Sequence, residues 1–494
     1  MNPQATPWRL PQWANLFVLT PLITALIGCA AVPDYKHPES PTVTTFATAA
    51  LVAKTAASPG VHGASQRFVT EPVPAQWWRE LNSDKLGRLI DQALAASPTL
   101  AAAQATLRQA QQNYAATSGS TELPQVNGKL GGQRLGANNA AAGLPDGERT
   151  YDLYSATVAV SYDLDLAGAN RRALEALAAQ VDYQSYQFDG ARLTLVANLV
   201  LTAIAQAQLA AQIDATKMIL QAQAEQLAIT HKRLELGVGT QLEVLALKTQ
   251  MAQTEAGLPV LQNKWEQTRH LLAVLAGVTP GSHGLPEFEL VDFTLPVDLP
   301  ISIPSEWVRR RPDLRASEAL LQAASAQYGV AVAKLYPQLT LSANLGSQAL
   351  TTASLFGPGS LIWSLGGQLV QPLFSPSLKA NAKALEAGLD AAQANYRQTV
   401  LQSLRNVADV LQTIESDALV QQSLETADAS AIDALNLVGR QYALGSASYL
   451  QLLLSQQQAQ QAHISTLEVR ARRLSNTVLL YQAMGGGPTT LTLP

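Results

Sequence analysis

One thiol in this chain sits where its position makes its chemistry specific. Cys29 is the only cysteine among 494 residues. A single thiol excludes an intramolecular disulfide and any cysteine-built zinc or iron–sulfur centre within one chain. Cys29 closes the uncharged run 14–29, ANLFVLTPLITALIGC. That run is shorter than the roughly 20 apolar residues of a membrane-spanning helix, and Pro21 interrupts it. It reads as the apolar core of a secretory signal, with Arg9 as the basic residue ahead of it. Leu26 lies three residues before the thiol and the small Gly28 directly before it, the spacing of a lipoprotein-processing box. The expected chemistry is diacylation of the sulfur, cleavage on the N-terminal side of Cys29 and acylation of the new amine. An ordinary signal peptide with an incidental cysteine is the alternative. Each buried acyl methylene contributes about 0.8 kcal/mol, so several chains anchor firmly. Ala30, rather than an aspartate, follows the thiol, as in lipoproteins sorted to the outer membrane.

Little else in the sequence suggests chemistry. The six histidines and four methionines are scattered, so no metal centre is expected. There is no GxxxxGK[ST] loop, no HExxH and no convincing nucleophile–base arrangement, so neither an enzyme nor a cofactor beyond the covalent lipid is expected. Basic and acidic residues number 33 and 37, a net charge of −4. That balance excludes a broad basic surface for nucleic acid. Only 14% of residues are charged, against roughly 25% in an ordinary soluble domain. Mean hydropathy is nonetheless only +0.05, because Ala and Gln fill the place of charge.

The elements follow from where proline is missing. No proline occurs over 146–258 or 377–487. Proline costs about 3 kcal/mol inside a helix, so two such runs rich in Ala, Gln, Leu and Glu predict long helices. The runs are copies: adding 208 to a position in the first often finds the same residue in the second. Leu177/Leu385, Asp182/Asp390, Asn198/Asn406, Leu236/Leu444, Gly237/Gly445, Leu242/Leu450 and Gly277/Gly485 all obey it. This predicts an internal duplication. Each copy carries a long helix, 169–236 or 377–444, of roughly 100 Å. A short turn and a return helix to about 276 or 484 follow. Leu236, Gly237, Val238, Gly239 and Thr240 form the first turn; Leu444, Gly445, Ser446, Ala447 and Ser448 form the second. Gly supplies the left-handed cap and Thr240 or Ser448 starts the return helix.

Ahead of each long helix, apolar residues alternate. Val126, Gly128, Leu130 and Gly132 do so, then Tyr154 through Leu166 at every second position. Leu339, Leu341, Ala343 and Leu345 repeat the pattern, then Trp363, Leu365, Gly367 and Leu369. Such runs fit either transmembrane β-barrel strands or soluble hairpins. Four strands cannot close a barrel, so a membrane reading requires several chains. Segments 136–150 and 348–361 read as loops. The expected layout is a signal at 1–28, a linker at 29–75, a first repeat at 76–300 and a second at 301–487. The repeats hold β-hairpins at 123–166 and 337–374 and helical hairpins at 169–276 and 377–484; a tail, 488–494, follows.

The ordered set of motifs from Cys29 to Gly485-Gly486-Gly487 resembles the TolC-like outer-membrane efflux proteins, in their OprM/NodT lipoprotein branch. It includes Pro33, Tyr35 and Pro38, Trp77-Trp78, and Arg310-Arg311-Pro312-Asp313-Leu314-Arg315-Ala316 with Glu318. Tyr336-Pro337, Pro372-Leu373-Phe374, Tyr396-Arg397-Gln398-Thr399-Val400-Leu401 and Val407-Ala408-Asp409 continue it. The resemblance implies a homotrimer. Its mainly α fold would carry a 12-stranded outer-membrane β-barrel, four strands per chain, continued by a long periplasmic α-helical barrel. It implies a passive exit duct for small molecules such as drugs, joined to a periplasmic membrane-fusion adaptor and an inner-membrane pump of the RND type. A type I protein-secretion duct shares this architecture, and a non-channel periplasmic coiled-coil scaffold is the rival of another class.

The resemblance also assigns sites. The two turns, 236–240 and 444–448, would meet the adaptor, although plain hairpin capping explains their glycines as well. Leu450, Gln451 and Leu454 match the position of the family's periplasmic gate, but the usual carboxylates are absent. Leu450 and Leu454 share a helix face and either gate as stacked rings or pack between helices. Trp77-Trp78 are expected to pack at the equator of the helical barrel, and Arg309-Arg310-Arg311 to form ion pairs or a solvated cluster. Asp163 and Asp165 are placed at the lumen rim; Tyr151, Tyr154, Tyr162 and Trp363 fit either interfacial aromatic girdles or core packing.

Overall fold

The computed structural model describes residues 35–39, 45–46, 52–138, 148–302 and 304–487. The signal, Cys29, Pro33 and the tail 488–494 lie outside the described residues. Strand β1 is Arg67–Val69; helices α1, Asp84–Ala96, and α2, Pro98–Thr121, follow. Strands β2, Gln125–Asn138, and β3, Glu148–Leu164, lead into α3, Ala169–Glu235, and α4, Gln241–Leu275. After β4, Asp298–Pro300, the short α5, Pro304–Trp307, and α6, Pro312–Ala333, precede β5, Gln338–Ala349, and β6, Leu361–Val370. Helices α7, Pro376–Ala443, and α8, Tyr449–Ala483, complete the chain. The long helices count 67 and 68 residues. Pro376 opens α7 in the first turn, where its missing N–H removes no intrahelical hydrogen bond. Pro259 lies inside α4, whereas α8 has no proline, so the two return helices differ in this respect.

The chain divides into two compact units. One contains Arg108–Tyr183 and Glu318–Asn395 and holds a four-stranded sheet in the order β2-β3-β5-β6, antiparallel throughout. Its register sorts the residues by face. One face carries the rows Gly128–Val158–Leu345–Trp363 and Val126–Val160–Ala343–Leu365, then Tyr162–Leu341–Gly367 and Leu164–Leu339–Leu369. The other carries Asn127–Ala159–Asn344–Ser364, Gln125–Ser161–Ser342–Gly366 and Asp163–Thr340–Gln368. The apolar face is uncovered: Leu130 is 85% exposed, Leu365 78% and Trp363 75%. Strands extend past the expected loop limits at 136 and 150. Gly131, Gly132 and Gly136 blur the alternation there, while ladder hydrogen bonds, which need no side chain, continue to Asn138↔Glu148.

Tyr154, Tyr162 and Trp363 fall on the apolar face, as an aromatic girdle requires. Tyr151 does not. It pairs with Leu135 on the opposite face, because residues three apart on a strand must point to opposite sides.

The second unit contains Glu39–Leu107, Gln184–Ser317 and Tyr396–Pro494. Leu86, Leu89, Ile90 and Ala93 form the buried stripe of α1, the 3.6-residue pattern of a one-sided helix. Trp77 stacks on Tyr481 with ring centroids 5.2 Å apart. Trp307 donates its indole N–H to the Ala483 carbonyl at 2.9 Å. Arg311 pairs with Asp313 at 2.7 Å and also donates to the Ala483 carbonyl at 2.9 Å. Burial alone would raise the Asp313 carboxyl, but the Arg311 guanidinium holds it below the ordinary carboxylate value.

The segment ahead of β1 is pinned by one buried cation. Arg473, 2% exposed, donates to the carbonyls of His62 at 2.9 Å and Ala64 at 3.0 Å. It also donates to the side chain of Gln421 at 2.8 Å. β1 then runs parallel to β4, and Arg67 forms an ion pair with Asp298 beside it. Replacing Arg473 with alanine leaves these buried acceptors unmatched. Arg473→Ala is expected to cost about 3 kcal/mol and to bring protease cleavage into residues 52–66; an unchanged digestion pattern would contradict the pinning role.

Candidate functional site

The two hairpin turns are built alike from backbone rules. In the first, Gly237 adopts φ +73°, its N–H donates to the Leu234 carbonyl at 3.0 Å and that of Val238 to Arg233 at 3.0 Å. In the second, Gly445 adopts φ +78°, with Gly445 donating to Tyr442 at 3.0 Å and Ser446 to Gln441 at 2.9 Å. Both are Schellman endings, which favour glycine at the left-handed position. A reciprocal capping box then starts each return helix. The Thr240 hydroxyl accepts from the Glu243 N–H at 3.3 Å, while the Ser448 N–H donates to the Gln451 Oε1 at 2.7 Å.

A cation–aromatic cluster ties one hairpin to the other. The Arg233 guanidinium at the end of α3 donates to the Tyr442 carbonyl at 2.8 Å and lies 4.6 Å from the centre of its ring. The Tyr442 hydroxyl points to the Glu243 carboxylate at 3.5 Å, and the Tyr449 ring lies 6.4 Å from that of Tyr442. Burial pushes the Tyr449 hydroxyl above the ordinary phenol value. Sequence reading did not reach Arg233, Tyr442 or Glu243. The T-x-x-E and S-x-x-Q capping boxes were readable signals for Glu243 and Gln451; nothing in the pattern marks the Arg233–Tyr442 pair.

Around this fixed frame the turns present apolar groups to solvent. Leu236, Val238, Leu242 and Leu444 are all exposed. Leu450 is 61% and Leu454 49% exposed, whereas Leu452 between them is buried. Among the described residues of one chain, none buries Leu450 or Leu454. Gln451, expected beside them, has its side chain turned back to cap α8. Residues 236–240 and 444–448 hold no carboxylate; Glu235 and Glu243 flank the first turn, and Glu243 is engaged in its capping box.

At the sheet, Asp163 accepts from the Thr340 hydroxyl at 2.6 Å on the polar face. Asp165 lies beyond β3 and accepts from the Arg171 N–H at 2.8 Å, ordering the entry into α3. Among the described residues, no group of His, Asp or Glu is arranged to hold a metal ion.

Comparison with known proteins supplies the context. A family model described as outer membrane efflux protein matches residues 89–278 and 303–486. The chain is similar to the pyoverdine export outer membrane protein OpmQ of Pseudomonas putida, 31% identical over 418 residues, covering 83% of this chain and 88% of that protein. It is similar to the probable efflux pump outer membrane protein TtgC of the same species, 30% identical over 485 residues and covering 95% of each. The outer-membrane channel OprN superposes with a TM-score of 0.84 at 26% identity, covering 93% of this chain and 99% of that one. The outer membrane protein VceC of Vibrio cholerae does so with a TM-score of 0.78 at 27% identity, covering 84% and 99%.

The capping geometry gives a direct expectation. Ser448→Ala removes a side-chain acceptor worth about 1 kcal/mol. Amide hydrogen exchange over the first turn of α8 should quicken about fivefold, with the centre of the helix unaffected. Unchanged exchange there would show that other contacts hold the turn.

Proposed function

Because the chain belongs to the outer membrane efflux protein family, we propose that it is the exit duct of a tripartite efflux system, three copies closing one channel. It is an outer-membrane efflux channel; the trimer, the lipid anchor, the partners and the roles of single residues are our reading. The sheet carries that reading. Its apolar face is bare and its polar face bears Ser, Thr, Asn and Gln, the two-sided pattern of a barrel wall between lipid and water. β2 and β6 each pair on one side only among the described strands. In hydrocarbon an open edge is not viable, so the sheet must close. Four strands are too few. The strands alternate in direction, so β6 of one copy meets β2 of the next antiparallel, and three copies give the 12-stranded barrel expected above.

The polar wall has Lys129 and Asp163 as its charged members in the rows between Gln125 and Gln368. Such a wall conducts without strong selection, so cargo is sorted upstream. OpmQ exports pyoverdine by its name, and TtgC serves an efflux pump. For this chain we infer small organic molecules, delivered by a periplasmic adaptor and an inner-membrane pump of the RND type. The duct itself is passive, catalyses nothing and needs no cofactor beyond lipid on Cys29, which would hold the mature N-terminus in the outer membrane. The exposed turns 236–240 and 444–448 are our adaptor contacts. Leu450 and Leu454, exposed among the described residues, would stack as rings of three and close the periplasmic end by dewetting, with Gln451 holding the helix start that aims them.

Two experiments test this assignment. Gly445→Arg keeps an open surround, since a side chain there meets nothing within 4 Å, although the positive φ costs about 1 kcal/mol. It should abolish efflux while membrane insertion and assembly persist; normal efflux would remove the turn from the adaptor contact. Leu450→Ser combined with Leu454→Ser should raise the single-channel conductance of the reconstituted protein. Unchanged conductance would assign those leucines to packing between copies.

A further inference from the structure

A cavity of about 480 Å³ opens in the second unit, and no residue of the two hairpin turns lines it. Arg192 on α3, Arg309 and Arg310 ahead of α6, and Arg315 in the first turn of α6 line it, with Asp189 as the one carboxylate. These cations are poorly matched. Arg310 lies 3.7 Å from Glu306 in an exposed pair, the kind worth about 1 kcal/mol or less. Arg315 has a neutral partner: it donates to the Tyr186 hydroxyl at 2.8 Å and lies 4.1 Å over that ring. Arg192 and Arg309 form no ion pair with a described carboxylate. Arg311, the neighbour in sequence, is committed to Asp313 and does not line the cavity.

The floor adds an independent observation. Trp78 also lines the cavity and is 3% exposed, yet its indole N–H has no acceptor among the described residues. Buried donors are normally satisfied, and an unsatisfied one costs about 1–3 kcal/mol. The cavity thus gathers guanidinium donors and one unanswered indole donor beside the apolar Val73 and Val196. The complementary ligand brings oxygens that only accept, together with an apolar surface. Guanidinium groups suit phosphate and carboxylate in particular, through paired hydrogen bonds.

We propose that this cavity binds an oxyanion carried on an apolar body, its charged end on Arg192, Arg309 and Arg315 and the Trp78 N–H, its apolar end against Val73 and Val196. The test reads binding alone and does not depend on conduction. Full-length protein in a non-ionic detergent is titrated by calorimetry with phenyl phosphate and, separately, with inorganic phosphate. Phenyl phosphate should bind saturably, about tenfold tighter than inorganic phosphate. Arg309→Gln with Arg315→Gln should weaken it about tenfold or more, and Trp78→Phe, which keeps an aromatic ring there but removes the donor, about fivefold. Arg405→Gln, an exposed cation paired with Asp409 at 3.7 Å outside the cavity, should leave it unchanged. No saturable binding, equal affinity for the two probes, or equal loss in Arg405→Gln would each overturn the proposal. Because Arg309 and Arg315 are exposed, their substitution keeps the test decisive even if Trp78→Phe unfolds the unit.

Discussion

The unpaired outer edges of β2 and β6, together with a bare apolar face between them, set the terms for the rest of the molecule. β2 contributes 14 residues and β6 10. Each outer edge leaves a row of N–H and C=O groups without a partner in the described chain. In water such an edge invites aggregation; in lipid it is untenable. The apolar face adds the same demand, since Leu130, Trp363 and Leu365 are left exposed among the described residues. One solution answers both: the edges pair with those of other copies and the face turns to lipid. Trimer, barrel and membrane placement are, in this account, consequences of one incomplete sheet.

The duplicated helical hairpins answer a different requirement. Long helices with little charge can pack closely through Ala while Gln faces water without a strong fixed field. The duplication is not used symmetrically. Arg233 in the first copy reaches the carbonyl and ring of Tyr442 in the second, whereas the position 208 residues on from Arg233 is Gln441. Two similar turns are thereby joined by an unlike pair. Pro259 marks the same divergence along the return helices.

What the sequence disclosed follows from which forces leave a periodic trace. Proline-free runs announced α3 and α7 to within a residue or so, because a helix interior excludes proline over its whole length. Alternation disclosed the four strands but not their ends, since the glycines of β2 pair through the backbone and leave no pattern. Tyr151 was misplaced for a reason of parity alone: it lies three residues from Tyr154. β1 and β4, three residues each, are too short for any period, and the hold of Arg473 on the chain ahead of β1 is a contact between residues about 410 apart. The turns were readable from Gly237 and Gly445, while the Arg233–Tyr442 link that fixes them needed the fold. Spacing and family position point to Leu450 and Leu454; the structure adds that both are exposed among the described residues and that Gln451 turns away to cap the helix.

The central claim is that the sheet of one chain is a third of a barrel. Native mass spectrometry of the protein extracted from the outer membrane in detergent measures this directly. Three chains in one particle is the predicted result. A monomer or a dimer that still conducts when returned to a bilayer would contradict it, because neither supplies the strands that the edges of β2 and β6 require.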